Sequence, residues 1–118
     1  MRLNRAMIYA NDLPRMTAFY GTTLGLKVVE KMDDYVEFDT GASRFALHAI
    51  PLPLRCDPSL PVQPREKNPI KLSFEVENVA SECNRLEGLG VTIVTRPWGS
   101  RDGIDPEGNI FGIYSPSM

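Results

Sequence analysis

The side chains best suited to chemistry are Arg5, Lys71 and His48. Arg5 and Lys71 stand 66 residues apart, the interval at which several turn and cap residues also recur, so the two cations fall on equivalent strands of a repeat. Placed inward about a pseudo-twofold, two like charges ~6 Å apart at an effective dielectric near 20 repel by about 3 kcal/mol. Such a pair calls for a counter-charge. An internal carboxylate is one solution, with Glu37 or Glu75 as candidates. An anionic ligand is another, a carboxylate or phosphate held by the guanidinium fork and the ammonium. Long stems that snorkel to solvent are a third.

His48 is the single histidine of the chain. Its unperturbed pKa near neutrality suits a general acid or base, and a hydrogen-bonded pocket wall is the plainer role. No Ser-His-Asp or Cys-His pattern supports a nucleophile. Met7, Tyr9, Trp98 and Tyr114 offer an adaptable aromatic lining for an organic ligand; packing in the core is the commoner fate of such side chains. The glycines form no phosphate loop, because none sits in a strand–turn–helix context.

The elements that must position these residues come in two copies. Asp105-Pro106-Glu107-Gly108-Asn109 reads as a turn, since Pro presets φ and Asp can bond the backbone two residues on. It leads into the alternating strand Ile110 to Tyr114. Asp39 to His48 has the same design 66 residues earlier, and Asp12 and Asn78, both good helix N-caps, keep that interval. Leu24-Gly25-Leu26 corresponds to Leu89-Gly90-Val91 with one residue removed. Repeats set the architecture, and this one predicts strand–helix–three strands, twice.

In the first copy Leu3 to Ala10 alternates as a strand, with Ala6, Ile8 and Ala10 on one face. Asp12 caps a helix that carries Pro14 in its first turn and an apolar stripe of Leu13, Met16, Tyr20 and Leu24. Gly25 stops it. Leu26 to Lys31 and Tyr35 to Phe38 form a hairpin, and Arg44 to Ile50 closes the module. In the second copy Ile70, Leu72, Phe74 and Val76 face a core. Asn78 caps a helix that buries Val79, Cys83 and Leu86, and Val91 to Thr95 is a strand. Between the copies, residues 51–69 hold six of the ten prolines. That stretch is neither helix nor central strand; it reads as a linker, or as a loop against a pocket.

Size and composition exclude several function classes. A chain of 118 residues makes one compact domain or two half-domains. A net charge of −2 with no basic run leaves no footprint for nucleic acid. No apolar run approaches the length of a membrane span, and the N-terminus has no signal-peptide core. Cys56 falls in the proline-rich stretch and Cys83 on a helix, which points to reduced thiols and a cytoplasmic setting.

Asp12-Leu13, Phe19-Tyr20, Leu24-Gly25-Leu26, Pro97-Trp98-Gly99 and Asp105-Pro106-Glu107-Gly108-Asn109 together resemble the glyoxalase / bleomycin-resistance / extradiol-dioxygenase group, the vicinal oxygen chelate superfamily. The resemblance spans nearly the whole chain. It implies an α+β fold of two tandem βαβββ modules, residues 1–50 and 70–118, whose curved mixed sheets enclose a cavity, and it implies a homodimer. In metal-dependent members of that group the ligands are a His or Gln on the first strand and a Glu on the last strand of each module. Carried onto this chain, those places hold Arg5, Lys71, Ala46 and Gly112. None is a metal ligand: Arg stays protonated, Lys needs a large pKa depression, and the other two have no donor. A displaced site built from His48 with Glu37 or Glu75 is the remaining option. The stretch between Trp98-Gly99 and Asp105 is about two residues shorter than the group's usual pattern, a change that preserves strand parity.

The expected function is therefore metal-independent and without a cofactor. It is small-molecule binding or resistance, with an organic anion meeting Arg5 and Lys71 beside Met7, Tyr9, Trp98 and Tyr114. The alternative is a glyoxalase-like lyase or isomerase acting on a small carbonyl compound, with His48 as acid/base. A partner-binding module without a productive pocket is a third class.

Overall fold

The structure is a computed structural model that describes residues 1–116. Residues 117 and 118, the end of the expected second module, lie outside the described residues. The chain divides into two compact units, Met1–Pro61 and Val62–Met118. The division falls inside the proline-rich stretch.

The first unit runs β1 (Arg5–Ala10), α1 (Leu13–Ala18), a π turn (Phe19–Thr23), β2 (Lys27–Met32), β3 (Tyr35–Asp39) and β4 (Arg44–Ala49). Its sheet has the order β1-β4-β3-β2, with β1 parallel to β4 and the other pairs antiparallel. The second unit runs β5 (Leu72–Glu75), α2 (Val79–Gly88), β6 (Ile93–Thr95), β7 (Arg101–Ile104) and β8 (Ile110–Tyr114). Its sheet has the same design, β5-β8-β7-β6, with β5 parallel to β8. The chain is thus α+β, two similar modules of one helix and a four-stranded mixed sheet.

The caps form as the residue types dictate. Asp12 accepts from the Arg15 amide at 3.1 Å and Asn78 from the Ser81 amide at 2.9 Å, each satisfying an otherwise unpaired first-turn donor. Pro14 sits in the first turn of α1, where its missing N–H costs nothing. Gly25 and Gly90 follow the helices at φ 84° and 89°, a left-handed conformation that other residues adopt only with strain.

Behind the first sheet, Met16, Tyr20, Val36, Phe38, Phe45 and Leu47 are buried. Tyr20 and Phe38 flank Phe45, with ring centroids 4.7 and 5.9 Å from it. Each such side chain contributes on the order of 2 kcal/mol. In the second unit Val79, Cys83 and Leu86 of α2 are buried, as are Phe111 and Ile113 of β8.

Three local expectations are corrected. The stripe through Leu13, Met16 and Tyr20 does not extend to a buried Leu24. The Leu24 amide bonds the Phe19 carbonyl at 2.8 Å, a five-residue spacing that re-phases the helix, buries Phe19 beside Tyr20 and leaves Leu24 half-buried. Ile70 precedes β5 and is 70% exposed, so the core alternation begins at Leu72. Finally, Leu52–Leu54 forms a 3₁₀ turn. Its two donors are the Leu54 amide on the Pro51 carbonyl at 2.8 Å and the Arg55 amide on the Leu52 carbonyl at 3.2 Å, so Pro51 and Pro53 do not obstruct it.

The proline-rich stretch is docked at both ends. Asn11 holds the backbone of Cys56 both ways, accepting from its amide at 2.7 Å and donating to its carbonyl at 3.1 Å. In the second unit Arg65 donates its amide to the Gly108 carbonyl at 2.9 Å and its Nε to the Glu107 carbonyl at 3.2 Å.

Candidate functional site

Alternation on β1 sends Ala6, Ile8 and Ala10 toward the helix and Arg5, Met7 and Tyr9 to the opposite, open face. Register places Arg44, Ala46 and His48 of β4 beside them, and then Tyr35 and Glu37 of β3. The first unit thus brings four of the sequence-predicted residues together: Arg5, Met7, Tyr9 and His48.

Glu37 is the hub of this face. Its Oε1 lies 3.3 Å from Arg5 Nη1 and 2.5 Å from the Tyr35 hydroxyl, and its Oε2 lies 3.6 Å from Arg44 Nη1. Arg5 Nη1 also donates to the Tyr35 oxygen at 3.0 Å. The Tyr35 hydrogen bond holds the Glu37 carboxyl below its ordinary value against burial, helped by Arg5 and Arg44. Burial and Glu37 together push the Tyr35 phenol up. Of the two counter-charges anticipated for Arg5, Glu37 is the one that meets it.

His48 lies in the middle of the face. Its Nδ1 is 2.9 Å from the Ala49 carbonyl, which can only accept, so Nδ1 carries the proton. Nε2 faces Asp34, 3.9 Å away. The His48 ring is 5.4 Å from that of Tyr9 and 6.1 Å from that of Tyr35. Tyr9 is 61% exposed and Met7 also lies open, so neither takes the core role that such residues more often have.

In the second unit Lys71 does not pair with Glu75. Its Nζ lies 2.7 Å from Oδ1 of Asp102, in ion-pair contact without hydrogen-bond alignment. Arg96 Nε donates to Oδ2 of the same carboxylate at 2.8 Å, and Arg96 extends to Glu66 at 3.3 Å. Asp102 is 2% exposed. Burial pushes its carboxyl up, but the Lys71 and Arg96 cations together outweigh that, and the net position is below the ordinary value. The reason for Asp102 rather than Glu75 is Gly112. Glu75 is further along the strand that Lys71 precedes, whereas Asp102 lies across β8 opposite a residue without a side chain. Tyr114 is partly exposed beside Glu75, and Trp98 stands 76% exposed on the turn between β6 and β7.

Two participants escaped the sequence reading. Arg44 is the register partner of Arg5, and the parity of β4 that selected Ala46 and His48 also selects it. Asp102 escapes because the repeat interval that relates Ala46 to Gly112 carries it to Val36, whereas its counterpart in register is Glu37.

A chelated metal does not fit these residues. At the four places where the resemblance puts ligands stand Arg5, Ala46, Lys71 and Gly112. The nearest carboxylates, Glu37 and Asp102, are each already held by two cations. Among the described residues no three His, Cys, Asp or Glu side chains come together as a metal-binding cluster, and the carboxylate beside His48 is Asp34, not Glu37 or Glu75. Among the described residues no helix is long and apolar enough to cross a membrane.

Residues 2–113 match the family profile described as the Glyoxalase/Bleomycin resistance protein/Dioxygenase superfamily. Lactoylglutathione lyase from Agrobacterium tumefaciens is similar in structure, with a TM-score of 0.67 and 25% identity over 98% of this chain and 93% of that one. A glyoxalase/bleomycin resistance protein/dioxygenase from Nocardioides has a TM-score of 0.73 and 18% identity over 98% of this chain and 83% of that one. TnmS3, an antibiotic binding protein from a Streptomyces species, has a TM-score of 0.68 and 18% identity over 98% and 96%. No curated protein matches the chain.

Proposed function

Because the chain belongs to the glyoxalase/bleomycin resistance protein/dioxygenase superfamily, we propose that it is a metal-independent, small-molecule-binding member whose ligand is an organic anion. The observation that carries this reading is the donor set. Where a metal would need neutral imidazoles and free carboxylates, this chain has cations, and Glu37 and Asp102 are neutralised by them. What remains on the first unit's open face is a surface of Met7, Tyr9 and His48 beside half-exposed Arg5. Such a surface suits a planar organic molecule with one anionic group. The fold itself does not choose the role, since it carries both a lactoylglutathione lyase and an antibiotic-binding protein.

Elemental analysis of the purified protein and melting shifts with a panel of organic anions test the proposal. Less than a tenth of an equivalent of zinc, nickel or iron is expected, together with shifts that shrink in Arg5→Ala. One bound metal per chain would defeat it. Lys71, also offered by the sequence for an anionic ligand, belongs to the second unit, where Asp102 holds it; identical shifts in Lys71→Ala would remove it from any ligand role. The same reading has the chain acting as a cytoplasmic homodimer, and sedimentation equilibrium measures that state directly.

One observation favours a second reading, a lyase or isomerase acting on a small carbonyl compound. With Nδ1–H bound to the Ala49 carbonyl, the Nε2 lone pair of His48 is the available base, and Asp34 at 3.9 Å would stabilise the imidazolium that forms. Turnover of such a compound that survives His48→Ala would remove His48 from the mechanism.

A further inference from the structure

We infer that Arg5 and Arg44 together form a carboxylate-receiving fork, and that Arg44 is the specificity-determining residue for an aromatic carboxylate whose ring lies on Tyr9 and His48. The inference rests on the small-molecule reading above and names the ligand class and the second cation of that site.

The two arginines are register partners on adjacent parallel strands, about 4.8 Å apart along the hydrogen-bond direction. Their side chains share the open face, 50% and 40% exposed. Both approach the single carboxylate Glu37, and both use only Nη1 to do so. A guanidinium has five N–H donors in a rigid fork. Among the described residues the Nε and Nη2 donors of both side chains have no hydrogen-bond partner, and the two guanidiniums meet at the one Glu37 carboxylate.

The surrounding charges balance. Asp39, the β3 partner of Arg44, turns its Oδ1 to the Gly41 amide at 2.8 Å. Lys27 and Glu30 lie next out on β2, opposite Asp39 and Glu37. Recognition therefore comes from aligned donors rather than from a broad positive field, and a small inorganic anion gains little here.

The aromatic part follows from where the Arg5 guanidinium ends. Its Nη1 sits 3.0 Å from the Tyr35 hydroxyl, and the Tyr35 ring is 6.1 Å from His48, whose other neighbour is the exposed ring of Tyr9. A carboxylate at the fork thus places the ring attached to it over Tyr9 and His48, with Met7 between β1's Arg5 and Tyr9 as an adaptable edge.

The test is titration calorimetry of the full chain with 2-naphthoate, neutral 2-naphthamide and inorganic phosphate. Naphthoate is expected to bind about tenfold more tightly than naphthamide. Arg44→Ala should weaken naphthoate by about tenfold and leave naphthamide unchanged, and Arg44→Lys should not restore it, because a point charge lacks the fork. Equal affinities for the acid and the amide in the unaltered chain would overturn the fork without needing any variant to fold. Naphthoate binding unaffected by Arg44→Ala would do the same. Phosphate competing as well as naphthoate would reduce the site to a general anion site and overturn the aromatic assignment. If neither aromatic compound binds, this inference falls, whereas the metal-independent reading falls only on the elemental analysis.

Discussion

Lys71 Nζ lies 2.7 Å from Asp102 Oδ1 across β8, and the residue it passes over is Gly112, which has no side chain. The first unit repeats the relationship with larger residues: Arg5 reaches Glu37 across β4, and the residue opposite Glu37 is Ala46. In each module a cation at the start of the first strand or just before it crosses a small last-strand residue to meet a carboxylate on the strand beyond. The two places that look vacant in a chelation scheme are thus the clearance that the ion pairs need.

Filling that clearance should cost stability. A Cβ on Gly112 would lie 2.7 Å from Ser73 Oγ and 3.3 Å from Lys71 Cε. Gly112→Ala is expected to lose about 1–2 kcal/mol, the usual range for overpacking. Urea denaturation measures it. The part recovered in Ser73→Ala/Gly112→Ala reports the hydroxyl's share.

The Asp102 carboxylate should leave a signature in acid. Its folded pKa lies below its unfolded value, so its contribution is fully present above about pH 4 and is lost as pH falls through the folded value. Asp102→Asn should be less stable than the unaltered chain by about 2 kcal/mol near neutrality, leaving the Lys71 and Arg96 cations without their shared partner. The difference should narrow below about pH 4. A gap that stays constant down to pH 2 would mean that Asp102 acts through packing and not through charge.

Gly108 closes the turn that opens with Asp105, at φ 86°, and its missing Cβ would stand 2.3 Å from the Gln63 carbonyl oxygen. The obstacle is backbone and cannot rotate away. Gly108→Ala is expected to cost about 2–3 kcal/mol, from positive-φ strain plus displacement of the segment around Gln63. Faster hydrogen exchange at the Arg65 amide, which bonds the Gly108 carbonyl, identifies the second contribution.

Gly103 lies under its cross-strand partner Phe111, whose ring carbons would be 2.3 to 3.0 Å from an added Cβ. Gly103→Ala should therefore destabilise by about 2 kcal/mol, and Phe111→Leu should relieve part of that loss in the double variant. Additive losses would show that the ring moves freely and that the glycine serves another purpose.

Much of the module plan is legible in local rules. Asp12 and Asn78 are caps because short acceptors satisfy first-turn amides, and Gly25 and Gly90 end the helices because they reach left-handed backbone at no steric cost. Periodicity found the buried faces of both helices up to Tyr20, where a π turn intervenes, and no residue type announces that turn. The placement of Arg5, Met7, Tyr9 and His48 on one face follows from parity once β1 and β4 are paired.

By itself, then, the sequence determined the repeat, the element order and the presence of the cations Arg5 and Lys71 at the repeat interval, because each of these depends on residue type and spacing along the chain. Only the tertiary structure decided which carboxylate meets which cation. Strand register brought Asp102 rather than Glu75 to Lys71 and set Arg44 beside Arg5. Register is a contact between distant segments, and a one-residue slip would turn every side chain to the other face without changing a letter of the chain.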